Sequence, residues 1–389
     1  MPDNPIISDA LAHYHYLHQH PELSFEEHLT AGYVREVLER YKVSCQNVGA
    51  TGVLGFIPGQ DSSRTIALRA DLDALPITED STHSILSTHP GKMHACGHDL
   101  HVSCLLGATG FLQSHRETLP QNVLLIFQAG EEVLPGGAQE VIQHPFFQSH
   151  RPEWIVALHA EPDLPVGSVG LCPGQYMASG DEIYITLEGP GGHAALPERS
   201  ADLILIASHI VVALQQIVSR HASPFIPSVL TFGNICCHSV MNMIPQQVRL
   251  EGTFRTFDES WRSAAKKKIR EISEAIARSM GATPSIKIVD GYPSLYNDPI
   301  KTGYTQTLLE KILGNDKVVR LSQRMTTEDF ARYSQIIPAT FIRLGVQSPE
   351  HVCGKLHTPE FYPDLRALDY GIRTLCEISL NPEPTCLSF

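Results

Sequence analysis

The chain has 389 residues, 42% hydrophobic and 18% charged, an ordinary globular composition that is long enough for two domains. Its 29 basic residues against 42 acidic ones give a net charge of -13, which repels phosphate backbones and anionic lipid and excludes nucleic acid and membrane surfaces as expected partners. Met1-Pro2-Asp3-Asn4-Pro5 carries no basic n-region, and no stretch approaches the ~20 apolar residues that a membrane span needs. Nine cysteines, with Cys236 and Cys237 adjacent, fit free thiols better than a disulfide framework, so a cytoplasmic protein is expected.

In chain order, Ser24 and Glu27 read as a capping box ahead of a helix with Leu29, Tyr33 and Val37 on one face. Strands are predicted at Thr65-Leu68, Val123-Phe127 and Trp154-Leu158, with a helix from Val102 to His115 between the first two. Such alternation predicts a mixed or parallel sheet with helices on both faces, an α/β fold whose active residues lie just beyond strand carboxyl ends. After Ser179 the pattern changes. A strand at Ile183-Leu187 is followed by a helix capped by Ser200 and bearing Leu203, Ile206, Ile210 and Leu214. Strands at Ser228-Asn234 and Gln247-Phe254, a helix from Asp258 to Met280 and a strand at Ser285-Val289 complete a β-α-β-β-α-β, ferredoxin-like α+β unit. The expected organisation is a catalytic domain in two parts, residues 1–178 and 291–389, with residues 179–290 inserted as a lid or dimerisation domain.

His94-Ala95-Cys96-Gly97-His98-Asp99-Leu100-His101 concentrates thiol, imidazole and carboxylate groups as one half of a metal site would. Alone, a Cys-x-His pair is more often a buried cysteine beside a surface histidine. Here the chain supplies partners elsewhere: Gly130-Glu131-Glu132 after an apolar run, His159 after Trp154-Leu158, and His357 after Thr340-Leu344. In Glu131-Glu132 one carboxylate can ligate while its neighbour, leaving the backbone in another direction, takes a proton from water. His94 and His101 read as supporting residues. Asp71 and Asp73, which end a strand, either orient ligating imidazoles or cap a loop with Arg69, and the spacing admits both.

With His20-Pro21-Glu22-Leu23-Ser24, Arg69 through Pro76, Gly191-Gly192-His193-Ala194-Ala195 and His357-Thr358-Pro359-Glu360-Phe361, these elements resemble the amidohydrolase branch of the di-metal aminoacylase and carboxypeptidase superfamily. That branch includes hippurate hydrolases, auxin-conjugate hydrolases and N-acetyldiaminopimelate deacetylases. The resemblance implies that Cys96, His98, Glu132, His159 and His357 bind two divalent metal ions, and that Glu131 is general base and then general acid in hydrolysis of an N-acyl amino acid by a metal-bridged water. It implies further that His193 stabilises the oxyanion from a partner subunit in a homodimer or higher homo-oligomer, and that Asn242 and Arg255 lie near the substrate carboxylate. Zinc or manganese fits the donors, with cobalt or nickel as alternatives. A dipeptidase or carboxypeptidase shares the same scissile amide, and a binding protein that kept the fold is the reading from another class. Cys236-Cys237-His238-Ser239-Val240-Met241 departs from the paired glycines usual before the asparagine, as does Glu198 where histidine is common.

Overall fold

The computed structural model describes residues 5–383; residues 1–4, on which the n-region reading falls, and residues 384–389 lie outside the described residues. In chain order the elements are α1 (Pro5–Gln19), α2 (His28–Arg40), β1 (Ser44–Val48), β2 (Gly52–Ile57), β3 (Asp61–Asp71), α3 (His98–Ser114), β4 (Gln121–Gln128), α4 (Ala138–Gln143), α5 (Pro145–His150), β5 (Trp154–Pro165), β6 (Val169–Leu171) and β7 (Gly174–Met177). There follow β8 (Ser179–Glu188), β9 (Gly192–His193), α6 (Leu203–Leu214), β10 (Ser228–Cys236), β11 (Met243–Ile244), β12 (Gln247–Thr256), α7 (Glu259–Ser279) and β13 (Thr283–Asp290). The chain ends with β14 (Leu295–Asn297), α8 (Pro299–Leu313), β15 (Val318–Arg320), α9 (Ala331–Ser334), β16 (Ala339–Gln347) and α10 (Ala367–Leu380).

Among the described residues these elements form two compact units, one of residues 5–174, 296–322 and 329–383, the other of residues 175–295 and 323–328. In the first, an eight-stranded mixed sheet runs β1-β2-β4-β3-β5-β16-β6-β15. The central strands β4, β3, β5 and β16 are mutually parallel. A parallel strand buried on both faces reads as a continuous apolar run, and every residue of β4 is buried. Helices α1, α3 and α10 pack together, and Tyr14, Leu105, Leu112, Leu375 and Ile378 join strand residues in one core. In the second unit an antiparallel sheet ordered β10-β12-β8-β13 carries α6 and α7. Its β8 alternates buried and outward positions, with Ile183, Ile185 and Leu187 facing the helices.

Several local expectations are corrected. Ser24 and Glu27 form no capping box: Ser24 Oγ donates to Asp73 Oδ2 at 2.7 Å, and buried Glu27 accepts from Gly130 N and Thr51 Oγ1. Helix α2 buries Thr30, Ala31, Val34, Val37 and Leu38, while Leu29 is exposed. Asp202, not Ser200, caps α6, accepting from Leu205 N at 3.1 Å. The 19 residues Leu203–His221 are helical, long and apolar enough to cross a membrane by length and composition, contrary to the expectation that no stretch comes near. Leu203, Ile206, Ile210, Leu214 and Ile217 nevertheless line one core with the second sheet, where that apolarity is used.

Candidate active site

The candidate centre lies in the first unit, around the carboxyl ends of β3 and β4 and inside β5. Gly97 adopts φ 85°, a left-handed conformation that glycine takes without a Cβ penalty, and it turns the chain from Cys96 into α3, whose first residue is His98. Glu131 and Glu132 follow β4 after Gly130, itself at φ 60°. His159 lies within β5, one register step beyond the predicted strand end. His357 comes from the loop before α10 with φ 62°, and its N–H donates to Ala95 O at 2.8 Å, tying it to the Cys96 segment.

These segments converge. Cys96, His98 and His159 form one group whose ligand atoms lie within 4.8 Å of one another; Cys96, Glu132 and His357 form a second; His98, Glu131 and Glu132 form a third. Cys96 is shared between the first two. Its Sγ is 3.4 Å from His159 Nε2 and 3.3 Å from His357 Nε2, and His357 Nε2 lies 3.1 Å from Glu132 Oε1. His98 Nε2 is buried and without a hydrogen-bond partner, as an atom directed at a cation would be. One thiol, three imidazoles and one carboxylate, divided into two groups that share the sulfur, fit a pair of divalent cations.

A polar layer orients these groups. His98 Nδ1 donates to Asp73 O at 2.8 Å, which leaves Nε2 facing inward. Asp73 Oδ2 accepts from Glu132 N at 2.9 Å. Asp71 pairs with Arg69 at 2.6 Å and accepts from His101 Nδ1 at 2.7 Å, while His101 Nε2 accepts from Ala160 N. His101 therefore props the segment after His159. His94 is buried, and neither of its nitrogens has a hydrogen-bond partner. His159 Nδ1 lies 2.8 Å from Ala160 O and 2.7 Å from Arg343 Nη1; donating to the carbonyl leaves Nε2 free to ligate, whereas accepting from Arg343 puts the proton on Nε2.

The electrostatics favour cations. Burial opposes a charge on His98, yet Asp71 and Asp73 hold its pKa well above the ordinary value. Hydrogen bonds to Cys96 and Glu132 push His357 up to about 10. Burial raises the Cys96 thiol, with the Glu132 charge adding to it, an effect that a coordinated cation reverses by stabilising thiolate. Burial and then Arg343 hold His159 well below the ordinary value, keeping it neutral.

Local sequence gave no sign of Asp329. Its carboxylate accepts from Arg69 Nη2 and Gln128 Nε2, both at 2.7 Å, and its N–H points to Glu131 Oε1 at 3.4 Å. Of the residues expected near substrate, His193, Asn242 and Arg255 all belong to the second unit. Exposed His193 lies on β9 opposite Met243 of β11, and its Nδ1 accepts from Ala195 N at 3.1 Å. Asn242 is exposed, and Arg255 Nη1 donates to Met325 O at 2.7 Å.

A helix-flanked mixed sheet carrying this donor set is the architecture of a metallohydrolase. Residues 67–381 match peptidase family M20/M25/M40, and the chain belongs to that family. It is 38% identical over 354 residues to the N-acetyl-L-cysteine deacetylase of Bacillus subtilis strain 168, covering 91% of this chain and 83% of the relative. It is 36% identical over 364 residues to the N-acetyldiaminopimelate deacetylase of Anoxybacillus flavithermus, covering 92% and 93%. Among solved structures it is similar to the Bacillus subtilis YXEP protein, described as a dinuclear metal binding peptidase from the M20 family, with TM-score 0.83, 31% identity and 97% and 98% coverage.

Proposed function

We propose that the protein hydrolyses the amide bond of N-acyl amino acids, releasing a carboxylic acid and a free amino acid. The observation that carries this reading is the place of Glu131 beside His98 and Glu132, the ligand atoms of the three lying within 4.8 Å of one another, while Cys96, His159 and His357 belong to the groups that share His98 or Glu132. The two cations these five residues would hold, zinc or manganese by donor type, supply Lewis acidity and lower the pKa of nearby water. Glu131 takes a proton from the attacking water as the C–O bond forms, then delivers it to the amide nitrogen as the C–N bond breaks. Its Oε1 is oriented by Asp329 N–H. In this reading His193 donates to the developing oxyanion, and Asn242 with the free part of the Arg255 guanidinium takes the substrate carboxylate. The names of the relatives above, N-acetyl-L-cysteine and N-acetyldiaminopimelate deacetylases, support an acetylated amino acid as the substrate class.

We assign the second unit to homodimerisation. Val212 of α6 is 73% exposed, Ile204 and Leu205 about two turns earlier in the same helix are exposed, and β10 is an open sheet edge that a second copy can extend. A reducing, cytoplasmic setting fits because every cysteine among the described residues is free.

Glu131→Gln tests the assignment. It should keep its metal and lose at least about 100-fold in kcat on N-acetyl amino acids, the lower range for general-base loss, whereas Glu132→Gln should lose metal as well. Metal-replete Glu132→Gln beside metal-depleted Glu131→Gln would reverse the roles. Faster turnover of dipeptides with a free amine than of N-acetyl amino acids would make the protein a dipeptidase.

A further inference from the structure

The departure from paired glycines at Cys236-Cys237-His238 is not used by the chemistry above. Strand β10 ends at Cys236, opposite Arg249 of β12. The chain then turns back through residues 237–242 to β11, which pairs with β9 and sets Met243 opposite His193. The result is a cleft of about 700 Å³ within the second unit, with Cys236, Cys237 and His238 lining it together with His193. Adjacent residues of a regular strand face opposite ways, but β10 stops here and both cysteines line the same cleft. Both cysteines are free and exposed, and both histidines are exposed. The lining contains no carboxylate, and its one cation, Arg249, donates through Nε to Gln247 Oε1 at 3.0 Å.

We propose that Cys236, Cys237, His238 and His193 form a separate binding site for one thiophilic d¹⁰ cation such as zinc or cadmium. Two sulfurs and two imidazole nitrogens make a tetrahedral set for a borderline-soft ion and offer nothing to calcium or magnesium, which require anionic or carbonyl oxygens. On binding, each thiol releases one proton to solvent and both imidazoles ligate in their neutral form, so the site strengthens as pH rises. Occupancy takes the His193 ring nitrogen out of use. Resting on the oxyanion role given to His193 above, excess zinc then inhibits the metal-loaded enzyme.

The binding test uses cadmium and the full chain carrying Cys96→Ala, so that the thiolate-to-cadmium charge-transfer absorption cannot arise at the candidate active centre. One cadmium per chain with that absorption is expected. Since losing even an outer-shell partner costs a metal site roughly 10–100-fold, adding Cys236→Ser and Cys237→Ser should weaken this cadmium by more than about 100-fold, and His193→Ala by about tenfold or more. Absence of the band, its survival in the double serine variant, or unchanged affinity in His193→Ala overturns the four-donor site. In the unmutated chain, cadmium should shield Cys236 and Cys237 from iodoacetamide, read by mass spectrometry; equal labelling with and without cadmium also overturns it. With the site established by these readouts, zinc inhibition of the holoenzyme should disappear in Cys236→Ser/Cys237→Ser. Full activity at saturating zinc would then refute the catalytic role of His193 and leave the binding site standing.

Discussion

His18 is buried between two carboxylates, with Nδ1 2.6 Å from Asp99 Oδ2 and Nε2 2.7 Å from Glu79 Oε1. Asp99 also accepts from Leu100 N at 2.8 Å, so the cluster pins the first turn of α3 beside Cys96 and His98. Burial opposes a charge on His18, but Asp99 and Glu79 raise its pKa from 6.5 to about 9. Its contribution to stability is therefore complete below its unfolded pKa and is lost as pH rises through the folded value. Glu79, lowered from 4.5 to about 2 against the cost of burial by His18, His83 and Ser87 N, contributes above 4.5 and fails as pH falls through about 2. His18→Gln removes the one charge shared by Asp99 and Glu79, leaving Asp99 with Leu100 N and Glu79 with His83 and Ser87 N, and should cost about 3–5 kcal/mol between about pH 5 and 6. The gap between the parent and His18→Gln denaturation midpoints should narrow from about pH 6 toward about pH 9.5. A gap that stays constant across that interval would mean that His18 contributes packing and not charge.

At the scale of elements, the start of α3 depends on Gly97. A Cβ there would lie 2.9 Å from Ala160 Cβ in addition to the left-handed φ. Gly97→Ala should cost at least ~1–2 kcal/mol in stability from backbone conformation alone. Because Cys96 and His98 flank it, metal affinity in a chelator competition should fall as well. Gly303→Ala in α8, whose Cβ meets nothing, is the control and should stabilise by ~0.4–1 kcal/mol. Equal metal affinity in the two variants would separate the Gly97 turn from the metal centre. The same contrast between local and distant causes explains what was legible beforehand. Strands β3, β4 and β5 announce themselves as apolar runs because both faces of a parallel strand are buried. Ser24 and Glu27 mislead because their side chains are committed to Asp73, Thr51 and Gly130, far along the chain, and not to their own helix. Asp329 is invisible for the same reason: its partners Arg69 and Gln128 lie 260 and 201 residues away. Cys-x-His and Glu-Glu were readable because ligand chemistry is carried by residue type and close spacing, whereas the layer that orients them is assembled by the fold.

For the whole molecule, the question is whether each chain carries a complete catalytic apparatus. Glu131 belongs to the first unit and His193 to the second, and the open β10 edge and the apolar face of α6 are on the unit that carries His193. If dimerisation lends His193 to the neighbouring chain, the reaction has a stoichiometric signature that a self-contained monomer lacks. Glu131→Gln and His193→Ala should each be nearly inactive alone. In a mixed dimer one site loses both groups and the other keeps both, so an equimolar mixture at full exchange holds half of its chains in heterodimers and should recover about one quarter of parental activity. Val212→Asp, which places a charge on the exposed α6 face, should weaken association and make the recovery dependent on protein concentration. Heterodimers demonstrated by mass spectrometry without recovered turnover would place His193 in the service of its own chain, and parental activity in a Val212→Asp monomer would remove the need for a dimer altogether.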